Sequence, residues 1–335
     1  MIEIKRNYSL LPHNTFGVDV VAREFVEYTT KEDLIDFLKK GGLTPPFLHI
    51  GIGSNLLFLK DYEGTILHSK IKSVEVVKQD DESLILKVGS GYDWDELVAY
   101  TVENNWYGLE NLSLIPGEVG SSAVQNIGAY GVEVKDVITQ VDVVNTDGVE
   151  QSFTNAECQY KYRYSFFKES QNRNLIVTAV YFKLSKQECL KLDYGSLSKV
   201  LEGKKITLQS VRDAIIEVRE SKLPDPKVIG NAGSFFMNPV VSTELFLKIQ
   251  NDYPNMPHYV LNNEQVKIPA GWLIDVCGWK GKTLGNAGVH DKQALVLVNK
   301  GNATGREIVA LASAIQADVK NKFGIEISPE VNFIG

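Results

Sequence analysis

The chain is poor in cysteine and histidine, and neither residue type occurs in a patterned way. Its three cysteines, Cys158, Cys189 and Cys277, stand alone. An odd count without a CxxC pair excludes a disulfide framework and suits reduced thiols. Its five histidines form no HExxH or paired spacing, so no metal site is expected. No apolar run approaches ~18 residues, which excludes a helical membrane span. The first dozen residues lack the continuous apolar stretch of a secretory signal, and a cytoplasmic location is expected. Runs of five or six like charges are also missing, and the net charge is −7. That balance argues against a nucleic-acid surface, so an anionic ligand must be held by local donors.

What is present reads as a folded chain, with 44% apolar and 23% charged residues. At 335 residues it exceeds one hydrophobic core, and two or three domains are expected. A helix is predicted over 29–40, with Thr30 as cap and Gly41-Gly42 as stop. A strand over 47–50 follows, and a hairpin is predicted from 74–77 and 84–88. Asp93 caps a helix over 93–104, with Glu96 completing a capping box. A second hairpin, 137–144 and 149–153, turns at Asn145-Thr-Asp-Gly148, and 175–184 is a long strand. A helix over 210–220 ends at Leu223-Pro-Asp-Pro226, where a domain boundary is placed. Short helices over 242–251 and 269–277 precede a long one over 304–323. Thr304 and Glu307 box its start, Ile308, Leu311, Ile315, Val319 and Phe323 form its stripe, and Gly324 ends it. The order of elements indicates the α+β class.

Residues 115–131, Ile-Pro-Gly-Glu-Val-Gly-Ser-Ser-Ala-Val-Gln-Asn-Ile-Gly-Ala-Tyr-Gly, are the most informative stretch. Glycine lets backbone approach a flat or anionic group closely. Successive free amides and serine hydroxyls make concave anion sites. The segment is therefore a tight multi-turn loop or one wall of a dinucleotide cradle. Gly51-Ile-Gly-Ser-Asn55 follows a strand, where a glycine turn meets phosphate. Leu56 replaces the third Rossmann glycine and no Lys-Ser/Thr follows, which excludes both common nucleotide loops. Two such loops suit a long ligand clamped at two points.

Four other features bear on chemistry. Alternation in Tyr160-Lys-Tyr-Arg-Tyr-Ser-Phe-Phe-Lys168 predicts a strand with Tyr162, Tyr164 and Phe166 on one face and Arg163 on the other. Arg163 is either solvated or a rigid fork for a carboxylate. Ser234, in Gly233-Ser-Phe-Phe-Met-Asn-Pro239, is a turn serine or a lone functional hydroxyl. It has no Gly-x-Ser-x-Gly context, so it is not a hydrolase nucleophile. Glu330, in a C-terminal strand over 327–334, is an edge carboxylate or a buried acid. Lys222, Lys227, Lys280 and Lys282 are either surface lysines or the positive groups of an anion site.

These segments together resemble the UDP-N-acetylenolpyruvoylglucosamine reductase family. The matching runs are Asn14-Thr-Phe-Gly17, Gly51-Ile-Gly-Ser-Asn-Leu-Leu-Phe58, Ile115-Pro-Gly117, Gln125-Asn-Ile-Gly-Ala-Tyr-Gly-Val132, Tyr162-Arg163, Gly233-Ser-Phe-Phe236, Asn238-Pro239, Ala270-Gly-Trp-Leu-Ile-Asp275 and Pro329-Glu-Val331. They occur in the family's order, and that ordered set is specific where any single run is not.

The resemblance implies an α+β protein of three domains. Residues 1–70 with 324–335, and 71–220, would form FAD-binding subdomains of the vanillyl-alcohol-oxidase type, and 221–323 a substrate-binding domain. FAD would be held non-covalently by Gly51, Gly53, Ser54, Asn55 and Leu56, and by Ile115, Pro116, Gly117, Gly120, Ser121, Ser122, Asn126, Gly128, Tyr130 and Gly131. NADPH would reduce the flavin, whose N5 then delivers hydride to C3 of the enolpyruvyl sugar nucleotide. Arg163 and Glu330 would bind and polarise the enol-like intermediate, with Glu330 protonated, and Ser234 would protonate C2. Tyr194, Lys222, Asn238, Tyr259, Lys280 and Gln293 would hold the substrate. A cytoplasmic monomer with small-molecule partners only is implied.

Two positions depart from the family pattern. Asn332 stands where arginine is frequent, and Met237 where lysine is frequent, each removing a positive charge from the expected anion site. The alternatives are a related FAD-dependent alcohol or sugar oxidase and a non-catalytic nucleotide-binding module. Some such oxidases bind flavin covalently through His or Cys, and His49 is the histidine beside the glycine loops.

Overall fold

The computed structural model describes residues 2–193 and 197–335. The chain divides into two compact units, one of Met1–Tyr8, Ala22–Ile52 and Glu63–Ser221, the other of Ser9–Val21, Gly53–Tyr62 and Lys222–Gly335. Among the described residues no helix is long and apolar enough to cross a membrane.

The first unit carries two large sheets. One has the strand order Ile4–Ser9, Val21–Tyr28, Tyr62–Ser69, Phe47–Ile50, the last two parallel. The helix Lys31–Lys39 covers part of it, capped by the Thr30 hydroxyl, and packs Leu34, Phe37 and Leu38 against Val26, Tyr28 and Leu67. The other sheet is antiparallel, in the order Glu150–Thr154, Ile138–Asn145, Leu175–Ser185, Ser83–Gly89, Val74–Gln79. Alternate side chains of its fourth strand, Leu84, Leu86 and Val88, turn inward onto Trp94, Leu97 and Phe182. Both hairpins form where the turn residues predict them. At the second, Asn145 Oδ1 accepts the Asp147 and Val149 amides.

In the second unit, Gly230–Ser234, Val296–Asn299, Ala287–Val289 and Thr283–Leu284 form an antiparallel sheet. The helix Gly305–Phe323 lies against it. Its predicted cap is present in full: Thr304 Oγ1 accepts the Glu307 amide and the Glu307 carboxylate accepts from Thr304. Val240–Ser242, Gln265–Lys267 and Tyr259–Val260 make a smaller sheet. The chain's last strand, Asn332–Ile334, pairs in parallel with Leu56–Phe58, a shorter strand than the 327–334 expected.

The helix Trp94–Glu103 starts at Asp93, whose carboxylate accepts the Asp95 and Glu96 amides. Asp95, in its first turn, receives both Arg212 nitrogens at 2.7 and 2.8 Å and the Leu114 amide at 2.5 Å. This carboxylate joins the helix Leu208–Lys222 to the chain entering the glycine-rich run. Burial opposes its charge, but the Arg212 guanidinium and the Leu114 amide outweigh burial and hold the carboxyl below its ordinary range.

A depressed carboxylate stabilises the fold above its unfolded value, about 3.9, and that contribution is lost as pH falls through the lower folded value. Asp95→Asn should therefore lower the urea midpoint clearly at pH 7, with the gap to wild type closing under strongly acidic conditions. A gap independent of pH would show that the ion pair adds no acid-linked stability.

Candidate active site

Arg163 sits on a tight turn, not on the expected strand. Lys161 and Tyr164 exchange backbone bonds in both directions at 3.0 Å, leaving Tyr162-Arg163 at the tip. Arg163 has φ +54, in the position of such a turn where glycine is usual. The consecutive phenylalanines explain why alternation fails. Phe166 and Phe167 both bury themselves in a short 3-10 turn, Phe166–Lys168, against Phe153.

This turn is stitched to the glycine-rich run by side chains. Asn126 Nδ2 donates to Lys161 O at 2.8 Å, Arg163 Nη2 to Gly128 O at 2.9 Å and Ser165 Oγ to Val124 O at 2.6 Å. Lys168 Nζ donates to Gln125 Oε1 at 3.3 Å and to Arg163 O at 3.1 Å. Arg163 also lies over the Tyr162 ring, 5.6 Å from its centroid.

The glycine-rich run itself contains a helix, Val119–Gln125, that the reading as a loop missed. Glu118 starts it, Ser121 Oγ accepting the Glu118 amide at 3.2 Å and donating to Glu118 O at 2.8 Å. Asn126 ends it in the left-handed region at φ +45. The row of free amides expected here is largely spent: Val119 N donates to Tyr92 O and Gly120 N to Ser90 O. Gly120 is needed for closeness, since a Cβ there would lie 2.8 Å from Ser90 Cβ. Ser122 Oγ returns to Val119 O, and Asn126 uses its side chain on Lys161 O, Glu133 and the Lys135 amide. Tyr130-Gly131, both at positive φ, close a two-residue hairpin between Gly128–Ala129 and Val132–Glu133. Ile115, Pro116 and Gly117 lead in, and Gly117 O accepts the Trp94 amide.

Sequence reasoning missed Arg219. It lies seven residues after Arg212 on the same helix, so both face one way. Its Nε is buried without a hydrogen-bond partner among the described residues. Burial lowers its affinity for the proton, partly offset by Tyr130 and Asp95, and neighbouring Arg163 lowers it further. A charged residue at interior-facing helical spacing was the available signal. A buried polar cluster was missed too: His68, 2% exposed, bridges Glu27 and Glu118 at 3.2 and 3.0 Å. Tyr28 Oη meets His49 Nε2 at 2.9 Å. Burial, helped by His68, pushes the His49 imidazole down to about 3. The histidine beside the glycine loops is therefore a neutral partner of Tyr28.

In the loop 51–56, a Cβ on Gly51 would lie 3.0 Å from Glu118 Oε2. Gly53, at φ +74, has a hypothetical Cβ 2.1 Å from His13 O. The Ile52 and Gly53 amides have no hydrogen-bond partner among the described residues. These unspent donors suit an anionic dinucleotide such as FAD. Asn55 Nδ2 donates to Glu330 O at 3.2 Å, while the Asn332 amide and side chain donate to Asn55 O at 3.0 and 3.3 Å. Asn332 thus serves the loop that Leu56 continues into its strand. Ser54 stands between these anchors.

Ser234 and Glu330 come together in the second unit. Glu330 N donates to Phe235 O at 2.8 Å, and Phe236 bridges Pro329, so Glu330 lies beside the residue after Ser234. Ser234 ends the strand Gly230–Ser234 after an irregularity at Gly233, φ +67, a device that re-aims side chains. Its half-buried hydroxyl makes no hydrogen bond among the described residues, unlike a turn serine. Met237 is held through its backbone by Ser328 O.

Of the expected substrate residues, Asn238 Oδ1 caps Ala270–Val276 through the Ala270 amide, and Gln293 Oε1 lies 3.2 Å from where a Gly271 Cβ would be. Lys280 contacts Asp275 at 3.2 Å. Lys222 is exposed at the end of its helix, and Tyr259 is 46% exposed with Lys267 over its ring. No contact joins Lys222 or Tyr259 to the Asn238 group among the described residues. Tyr194 lies outside the described residues.

Comparison with known proteins bears on the whole chain. A family model described as "FAD binding domain" matches residues 22–154, and one described as "UDP-N-acetylenolpyruvoylglucosamine reductase, C-terminal domain" matches 225–334. The UDP-N-acetylenolpyruvoylglucosamine reductase of Bacteroides fragilis is 58% identical over 332 residues, covering 99% of this chain and 100% of the relative. That of Porphyromonas gingivalis is 48% identical over 337 residues, with the same coverage. The crystal structure of the Thermus caldophilus reductase superposes with a TM-score of 0.71 at 22% identity over 100% of both chains, a likeness of fold. The α+β class, with an FAD-binding part of the vanillyl-alcohol-oxidase type and a separate C-terminal domain, is as expected.

Two glycines of equal conformation separate packing from backbone preference. Gly53 and Gly203 both have φ +74, but a Cβ on Gly203 meets nothing within 4 Å. Gly203→Ala should cost about 1–2 kcal/mol and leave flavin content unchanged. Gly53→Ala should cost more and release flavin, read by thermal melting and by absorbance of the purified protein. Equal melting losses and full flavin content in both variants would remove the close approach at His13.

Proposed function

The chain belongs to the UDP-N-acetylenolpyruvoylglucosamine reductase family, and from that premise we propose how its own residues divide the work. The enzyme is an FAD-dependent oxidoreductase of peptidoglycan synthesis. It reduces UDP-N-acetyl-3-O-(1-carboxyvinyl)glucosamine to UDP-N-acetylmuramate with NADPH. When bound, FAD would supply the hydride-transfer chemistry between NADPH and the enolpyruvyl carbon. The loops 51–56 and 115–131 would hold FAD, the Ile52 and Gly53 amides offering it unspent donors.

Ser234 is the proton donor to C2. Its supporting observation is a hydroxyl, aimed by the Gly233 irregularity, that spends no hydrogen bond on its own unit. Glu330 engages the same substrate end, a role supported by its backbone bonds to Phe235 O and Asn55 one register from Ser234. Arg163 is the fork for the substrate carboxylate. A non-glycine residue held at φ +54 is strained, and such strain persists where surrounding bonds over-determine it, commonly at functional sites. Stabilising developing carboxylate and enolate charge with fixed donors is the largest contribution such residues make.

For substrate we propose contacts from Asn238, Gln293, Lys280, Lys222 and Tyr259, with Tyr194 from outside the described residues. Asn238 and Gln293 have the strongest support, since both meet the start of the helix Ala270–Val276. We also propose that residues 1–70 with 324–335, 71–220 and 221–323 act as three functional domains, supported by the two large, separate sheets of the first unit. We also propose a monomer in the cytoplasm, a compartment with which three reduced cysteines accord.

Stopped-flow absorbance separates the two half-reactions. Ser234→Ala should leave bleaching by NADPH nearly intact and slow recovery with the enolpyruvyl substrate by at least ~10²-fold, the lower range for a lost general acid. Equal slowing of both would make Ser234 a positional residue. Arg163→Lys should retain charge yet lose most of the recovery rate, because lysine lacks the planar fork. Wild-type recovery in that variant would remove Arg163 from the site.

A further inference from the structure

We propose that Lys168 is a positioning residue for Arg163, clamping the turn that presents the guanidinium. The proposal rests on the carboxylate-binding role given to Arg163 above.

The observation is a closed ring of contacts within the first unit. Lys168 Nζ donates to Arg163 O at 3.1 Å and to Gln125 Oε1 at 3.3 Å. Arg163 Nη2 donates to Gly128 O at 2.9 Å. Gln125 and Gly128 lie at the end of one helix, three residues apart. Arg163 is therefore held at both ends, its carbonyl by Lys168 and its side chain by Gly128, onto the same short piece of backbone.

The hold on the carbonyl matters because of the backbone conformation. In the left-handed region a residue with a Cβ is disfavoured by roughly 1–2 kcal/mol, and Arg163 occupies it at φ +54. Left alone, the turn has a cheaper conformation that would rotate the Arg163 side chain away. A charged donor on the carbonyl opposes that rotation, and bonds from charged donors are stronger than neutral ones. Lys168 is itself rigidly based. It ends the 3-10 turn Phe166–Lys168, whose two phenylalanines are buried against Phe153. Its ammonium is partly screened from water, half-buried beside the helix end.

A second consequence concerns coupling between the ligands. Because Gln125 and Gly128 belong to the run assigned to FAD, the fork for the substrate is built on the cofactor's own support. Lys168 is the one cationic side chain of that ring besides Arg163 itself among the contacts given above.

The test uses the flavin-loaded enzyme with two substitutions and their combination. K168M removes the ammonium while keeping the aliphatic stem. Recovery of the flavin with enolpyruvyl substrate should slow roughly tenfold to a hundredfold, the range for a lost hydrogen bond from a charged donor. Bleaching by NADPH and the melting temperature should hold near wild type, which a merely structural role would not allow. K168R should recover most of the lost rate. In the R163K background, K168M should add little, because two residues that act through one contact are not additive. Full additivity, or equal slowing of both half-reactions by K168M, would overturn the positioning role while leaving Arg163 in place. Wild-type recovery in R163K alone would instead overturn the Arg163 assignment and the Lys168 proposal with it. Should K168M fail to fold, Q125M removes the other anchor of the ammonium and should give a smaller loss confined to the same half-reaction. No loss there would also overturn the proposal.

Discussion

The backbone at Arg163 is the constraint on which the role proposed for the first unit depends. A bulky residue at φ +54 is unfavourable alone, so the surrounding structure must specify it. The contacts that do so come from 124–128 and 161–168, segments about 35 residues apart, joined by side chains to backbone carbonyls and one side-chain amide. These are directional bonds with short, fixed geometry. They convert a glycine-rich stretch into a scaffold, since the helix Val119–Gln125 and the Tyr130-Gly131 hairpin must both be in place before the carbonyls face the turn. Asn126 is the hub. It is fully buried, ends the helix, and satisfies its own amide with Lys161 O, Glu133 and the Lys135 amide.

The second unit solves a similar problem by strand pairing. The chain's last strand lies parallel to Leu56–Phe58, and parallel pairing requires a long connection. Here that connection is nearly the whole chain. Its result is that Asn55, just after the second glycine of its loop, is bonded to Glu330 and Asn332. The same terminal segment runs beside Phe235 and Phe236, which are fully buried and stack edge-on at 5.0 Å. Phe235 also packs against Phe16 of the Asn14-Thr-Phe-Gly17 run. The runs Asn14–Gly17, Gly233–Phe236 and Pro329–Val331, spread over more than 300 residues of sequence, are thus neighbours within the second unit.

Much of the fold was legible because local rules and tertiary packing agree. The helix Gly305–Phe323 has its box, its stripe of buried residues and its left-handed Gly324, all readable in sequence. The hairpin at Asn145 follows from its turn residues. Where local rules and packing disagree, the reading failed. Val119–Gln125 contains glycine, two serines and two valines, poor helix formers, and forms because Ser90, Tyr92 and Ser121 satisfy its first amides. Tyr160 to Lys168 looks like an alternating strand, yet among the described residues it joins no sheet, and the consecutive phenylalanines are both buried. The site residues named from motifs were legible as a set. Arg219 offered only its helical spacing, and Lys168 offered nothing, because a lone cation on a turn has no pattern until the fold shows what it faces.

The charge balance sharpens what those cations do. With a net charge of −7 the chain cannot attract anions by its overall field, so its positive groups must act at short range. Arg219 illustrates the cost. Burial and the neighbouring Arg163 both disfavour its charge, and Asp95 and Tyr130 only partly restore it. Asp95 is already committed to Arg212 through a bidentate bond, so it cannot neutralise Arg219 as well. A buried guanidinium with an orphaned Nε is an unfavourable arrangement in the free protein, and it becomes favourable when an anion or a carbonyl oxygen is bound against it. Asn332 follows the same economy from the other side. Its neutral amide is bonded to Asn55 O, adding no charge and fixing the loop. On the proposed roles, ligand binding relies on a few dehydrated donors held in place beforehand, and their worth depends on the rigidity of the turns that carry them.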